Sequence, residues 1–137
     1  MPEMKIFDRT ISMLGKVLDL QQRKQELIAS NIANAETPGY IPARLSFEED
    51  LAKALAGKPQ PQVPVHAGHI PIVSNSVDTL TGQIVRRPDQ GVGVDGNGVD
   101  LDKQLIAQSE NQLLYETAAQ IITKKLATLK YVVQDGR

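Results

Sequence analysis

Cysteine and tryptophan are absent from this chain, and aromatic residues make up only 4% of it. Without thiols there is no disulfide, no thiolate zinc site and no cysteine nucleophile, while the absence fits a cytosolic or an extracytoplasmic setting equally well. Few bulky side chains in 137 residues, together with 10 Gly and 8 Pro, leave little material for a self-sufficient core. The expectation is marginal stability alone. An excess of either charge is also missing: 15 basic and 16 acidic residues give a net charge of -1. No field of that size draws the chain to nucleic acid or to anionic lipid. No apolar run approaches the roughly 20 residues that span a bilayer, so no lipid-embedded segment is expected. Glu3, Lys5, Asp8 and Arg9 interrupt the stretch where a cleavable secretory signal would need to be apolar.

What is present is a pair of apolar stripes at heptad spacing, one toward each end. Phe7, Ile11, Leu14, Leu18, Gln21, Gln25, Ile28, Ile32 and Ala35 follow one another at alternating steps of four and three. Leu101, Leu105, Gln108, Gln112, Tyr115, Ala119, Ile122, Leu126, Leu129 and Val133 do the same. Such spacing lays a narrow seam along a helix and favours coiled-coil packing. The first helix is predicted from Lys5 to Ala35, a span free of Pro whose one glycine is Gly15. Thr37, Pro38, Gly39 and Tyr40 stop it in a type II turn, with Pro38 second and Gly39 at the third position, where φ is positive. The last helix is predicted from Leu101 to Gln134, capped by Asp100 and favoured by Asp102 in its first turn.

Between these helices, Ser46 and Glu49 have the spacing of a capping box, followed by Leu51, Ala52 and Leu55, with Gly57 placed to end a short second helix. From Lys58 to Val99 the chain carries Pro and Gly among scattered Val and Ile. Extended pieces are expected only near Ile70 to Val73 and Gln83 to Arg86, and the stretch either forms a small β-rich flap or stays disordered until a neighbour covers it, with partial order on assembly the favoured expectation. The fold class is therefore mainly α: two terminal helices packed as an antiparallel coiled coil, a short second helix and a middle poor in β structure. The expected divisions are residues 1–40, 41–99 and 100–137.

The seam glutamines suggest a register. With Gln21 and Gln25 facing Gln112 and Gln108, Leu18 lies near Tyr115, Leu14 near Ala119, Ile11 near Ile122 and Phe7 near Leu126. Ile28 then meets Leu105, and Ile32 meets Leu101. Mutually satisfied amides can fix an alignment. The alternative is that they are solvated where the helices splay.

Candidate chemistry fails on context. Gly91, Gly93 and Gly96 match a dinucleotide-binding pattern, but Arg86, Arg87, Pro88, Asp89 and Gln90 stand where a buried strand is required. Asp95, Asn97, Asp100 and Asp102 resemble a calcium loop, yet Val99, Asp100 and Ile106 occupy the fifth, sixth and twelfth places. His66 and His69 lack a third ligand at suggestive spacing. No nucleophile has an evident base, so neither an enzyme nor a bound metal or cofactor is expected.

The end of the first helix reads Ser30-Asn31-Ile32-Ala33-Asn34-Ala35-Glu36-Thr37-Pro38-Gly39-Tyr40. It resembles the N-terminal motif of the bacterial flagellar axial proteins, the rod, hook and hook-associated subunits. Small Ala29, Ser30, Ala33 and Ala35 allow close approach of a neighbour, and Asn31 and Asn34 can hydrogen-bond across the junction. Within that family, Pro38, His69-Ile70-Pro71, Arg87-Pro88-Asp89, Asp95-Gly96-Asn97, Val99-Asp100-Leu101-Asp102, Glu110-Asn111-Gln112-Leu113 and Tyr115-Glu116 look like the proximal-rod subunits.

The resemblance implies a structural, non-catalytic subunit whose terminal helices line the wall of a rod crossing the periplasm. It further implies export through the flagellar type III apparatus. The implied partners are copies of itself, other rod proteins, and the adaptor and export-gate proteins at the rod base. Phe47 and Leu51 match a loose export pattern, beside the alternative that Phe47 packs on its own helix. The heptads alone also allow a soluble helical-hairpin adaptor that binds a partner helix. A charge in the seam, Ile28→Asp or Ile122→Asp, is expected to abolish motility if the rod reading holds.

Overall fold

A computed structural model describes residues 2–56, 77–89 and 98–136. The first helix, α1, runs Pro2–Ala33 and the last, α3, runs Leu101–Asp135. Between them lie a strand β1, Ala43–Ser46, a short helix α2, Glu48–Leu55, one 3-10 turn at Val77–Thr79, and a strand β2, Gln83–Arg86. The two strands pair antiparallel, with Ala43 opposite Arg86 and Ser46 opposite Gln83. At about 1.5 Å per residue, the 35 residues of α3 extend about 52 Å.

Several expectations hold for local reasons. Asp100 caps α3, its carboxylate accepting the Lys103 amide at 3.3 Å. Gly39 has φ of +74° and Tyr40 N donates to Thr37 O at 3.3 Å, so the turn after α1 has the geometry that Pro38 and Gly39 prescribe. β2 falls where an extended piece was expected. The helix end expected at Gly57, the extended piece expected at Ile70 to Val73, and the residues set aside as candidate sites, His66, His69, Gly91, Gly93, Asp95, Gly96 and Asn97, lie outside the described residues.

Four expectations change, the fourth in the packing of α3. β1 was not anticipated, because four alternating residues give too short a signal to separate from a loop. Ser46 is therefore the last residue of a strand and not a helix cap. Phe47 occupies the cap position of α2 without a side-chain cap, and the Glu48 carboxylate takes its backbone N–H at 3.1 Å. The third change concerns the core. Its main cluster joins Leu20, Leu45, Phe47, Ala54 and Leu80, with Leu27, Leu51 and Val77 packed around it. Leu20 and Leu27 stand on a second face of α1, outside the heptad stripe. The middle of the chain thus builds a core against α1.

α1 and α3 pack antiparallel, and the α1 stripe is the one expected. Leu14, Gln21 and Ile28 are buried, while Phe7, Ile11, Leu18, Gln25, Ile32 and Ala35 are half-buried. On α3 the seam is rotated. Gln104, Asn111 and Ala118 are buried, whereas Leu101, Leu105, Gln112, Tyr115, Leu126 and Val133, six of the stripe residues, are exposed. Gln108, Ala119, Ile122 and Leu129 keep intermediate cover. α3 carries apolar residues on several faces, so its pattern admits more than one seam. The small Ala118 and the amides that find partners on α1 select this one.

Candidate assembly junction

The α1 end is tied to the rest of the chain through one side chain. Asn31, 1% exposed, points from the last turn of α1 at the backbone of β1. Its Nδ2 donates to Ala43 O at 2.8 Å and its Oδ1 accepts from Ala43 N at 3.0 Å, so the amide pairs with a strand residue much as another strand would. The same Nδ2 donates to Gln104 Oε1 of α3 at 3.1 Å, and Tyr40 O–H donates to Oδ1 at 3.2 Å. Asn31 therefore fixes the turn, the strand and the far helix at once.

Asn34 works locally. Its Nδ2 donates to Ser30 O at 2.8 Å, a carbonyl that also accepts the Asn34 backbone N–H at 3.1 Å, and its Oδ1 accepts from Thr37 Oγ1 at 3.3 Å. Ala29, Ser30 and Ala33 are exposed beside it, so the small-residue face of α1 is open at this end. The motif residues Asn31, Ala33, Asn34, Thr37, Pro38, Gly39 and Tyr40 thus form one helix end and turn.

Gln104 carries the network onward. Its Nε2 donates to Asp89 Oδ2 at 3.0 Å, and Asp100 N donates to the same oxygen at 2.9 Å. Arg44 of β1 forms an ion pair with Asp89 Oδ1. The Asp89 side chain is buried, and burial raises its pKa; the bonds from Gln104, the Asp100 amide and Arg44, with the charge of Arg44, outweigh that and hold it below its ordinary value. Asp89 N donates to Gly98 O at 2.8 Å. A Cβ on Gly98 would stand 2.7 Å from Tyr40 O, so only glycine lets this loop approach the turn. Sequence reasoning missed Arg44, Asp89 and Gln104 as a group, for they are joined only through the fold. The alternation of Ala43-Arg44-Leu45-Ser46 was the one available signal.

A second ion pair stands beside α2, where Lys24 Nζ lies 2.5 Å from Glu48 Oε1 and 5.6 Å from the centre of the Phe47 ring. Burial raises the Glu48 pKa, but the Lys24 bond and neighbouring backbone amides lower it further. Phe47, 1% exposed, is a core residue, and Leu51 packs partly against the same cluster. Among the described residues no group of His, Cys, Asp and Glu converges to hold a metal ion. No described helix is long and apolar enough to cross a membrane.

α3 keeps apolar side chains exposed along its length. Ile106, Leu113, Leu114, Tyr131, Val132 and Val133 of α3 are exposed, Tyr131 by 67%. Near the start of α1, Lys125 Nζ stands 5.4 Å from the centre of the Phe7 ring.

A family model described as flagella basal body rod protein matches residues 18–40, the segment from mid-α1 through the turn. The chain is 31% identical to the flagellar basal body rod protein FlgB of Salmonella typhimurium, across 94% of this chain and 96% of that one. It is 31% identical to the Escherichia coli FlgB over the same shares, and 28% identical to that of Bacillus subtilis across 98% of this chain and all of the relative. With matched helix end, turn and nearly full-length identity in hand, the chain belongs to the FlgB family of flagellar basal body rod proteins.

Proposed function

We propose that the chain is a structural, non-catalytic subunit of the proximal rod, polymerising through α1 and α3 to form part of the drive shaft and of the export-channel wall. The observation that carries this reading is the set of exposed apolar side chains on α3, from Ile106 and Leu113 to Tyr131 and Val133. Exposed apolar surface of this extent marks a contact surface. Burial by neighbours couples assembly to completion of the fold. Copies of the chain, other rod proteins, and the adaptor and export-gate proteins at the rod base are the neighbours. The subunit passes unfolded through the flagellar type III apparatus into the periplasm. Phe47 and Leu51 fit that route, because Phe47 is accessible only before folding.

The test uses exposed positions, since Ile28 is buried and a charge there would unfold the chain. Leu113→Asp and Tyr131→Asp are expected to leave the helical signal of the isolated chain within error and to abolish swimming and recovery in purified basal bodies. Normal swimming by both variants overturns the reading.

A further inference from the structure

A groove of about 470 Å³ lies between α1, the start of α3 and one face of the two-stranded sheet. The strand register builds the sheet wall. Arg44 stands opposite Val85, so both side chains leave on one face, and Ser46 and Arg87 continue that face two residues further along each strand direction. Leu27, Ile28, Leu45 and Ala107 give the groove an apolar lining, while the amides of Asn31 and Gln104 beside them are already bonded within the clasp.

Charge in the walls is mostly of one sign. Lys24, Arg44, Arg87 and Lys103 line the groove against one carboxylate, Glu48. Lys24 is engaged by Glu48 and Arg44 by Asp89, and Lys103 Nζ stands 3.8 Å from Asp100. Arg87 is exposed and forms no ion pair among the described residues. An apolar groove with an uncompensated guanidinium on its wall suits a ligand that is apolar and carries one carboxylate.

α3 presents such a surface. Ile106, Glu110, Leu113 and Thr117 follow at steps of four, three and four, so they share one helix face, turned away from the seam of Gln104, Asn111 and Ala118. All four are exposed, Leu113 by 65%. Glu110, between the two apolar side chains, forms no ion pair among the described residues. Groove and stripe are different patches of the same chain. Two different patches meet head to tail, a contact that repeats along an assembly, whereas a two-fold dimer pairs one patch with itself.

We propose that the groove receives the Ile106, Glu110 and Leu113 face of α3 from a second copy of the chain, with Glu110 of that copy paired to Arg87. This rests on the rod reading above. It adds which two surfaces of neighbouring copies meet.

Charge reversal tests the pair. Arg87→Glu and Glu110→Arg are changes at exposed positions, each expected to leave the melting temperature of the isolated chain within error and to lower its recovery in purified basal bodies about tenfold or more, through a like-charge contact. Combined in one chain, the two are expected to restore recovery, because every copy then carries both halves of the swapped pair. A double variant no better than the single ones overturns the proposal, as does parent-level recovery of either single variant. The chain has no cysteine, so Val85→Cys and Leu113→Cys give a second readout. Cells that make both singly substituted chains are expected to yield a disulfide-linked dimer in basal bodies that neither substitution yields alone. Absence of the mixed dimer overturns the proposal, and so does a dimer formed by one variant alone. Absence of the parent chain from basal bodies would instead overturn the rod reading itself.

Discussion

The two halves of the helical pair differ in how many sides of α1 are covered. Around Leu20, Gln21, Leu27 and Ile28, α1 is buried on two faces, by Phe47, Leu45 and Leu80 on one and by α3 on the other. Toward Phe7 it meets α3 alone among the described residues, and the last turns of α3 leave Tyr131, Val132 and Val133 exposed. Both halves carry apolar residues at similar spacing. Burial therefore follows the number of neighbours a helix acquires, and the stripe itself does not set it. The covered half is a small head with its own core and a polar clasp at Asn31. The uncovered half offers surface.

The largest expected effect lies in the head. Phe47→Ala should cost about 3–5 kcal/mol, read by denaturant unfolding, because it empties the centre of the cluster. Tyr131→Ala, at an exposed position of the far half, should stay within about 0.5 kcal/mol. Equal losses at the two positions would break the contrast between head and rod.

A middle-sized effect belongs to the clasp and depends on pH. The folded-state pKa of Asp89 is lowered, so the folded chain binds that proton more weakly than the unfolded one. Its contribution is fully present above the unfolded value near about 4 and is lost as the pH falls through the folded value. Asp89→Asn should cost about 2 kcal/mol at pH 7, the order of hydrogen bonds to a charged group, and should flatten the decline in melting temperature below about pH 4. A variant that keeps the parent's full acid sensitivity would show that other carboxylates set it.

The smallest pair of effects has opposite signs. Gly15 lies inside α1 with no atom within 4 Å of an added Cβ, so Gly15→Ala should stabilise by up to about 1 kcal/mol. Gly39 is equally open, yet its φ of +74° makes Gly39→Ala cost about 1–2 kcal/mol. Thermal melts of the two variants should move in opposite directions.

Much of this was legible because it is local. Pro38 and Gly39 specify their turn with no help from distant residues, and Asp100 needs only the Lys103 amide three positions on. The Asn31 to Tyr40 segment could likewise be recognised as a unit. Gln104 and Asp89 carry no such mark. Asn31 reaches Gln104 across 73 positions and Asn111 reaches Gln21 across 90, and no sequence spacing encodes such a meeting.

By itself the sequence determined that two long helices flank the middle of the chain, the start of α3 at Leu101, the turn between α1 and β1, and the α1 stripe, because each rests on contacts within a few residues. Only the tertiary structure decided which side of α3 meets α1, that Ala43–Ser46 becomes a strand, and that Asp89 is clasped by Arg44 and Gln104. α3 is apolar on several sides, so its own pattern leaves the seam open until Asn111 donates to Gln21 O and Gln104 accepts from Asn31 on α1. A four-residue strand likewise exists only when Asn31 and β2 occupy its edges.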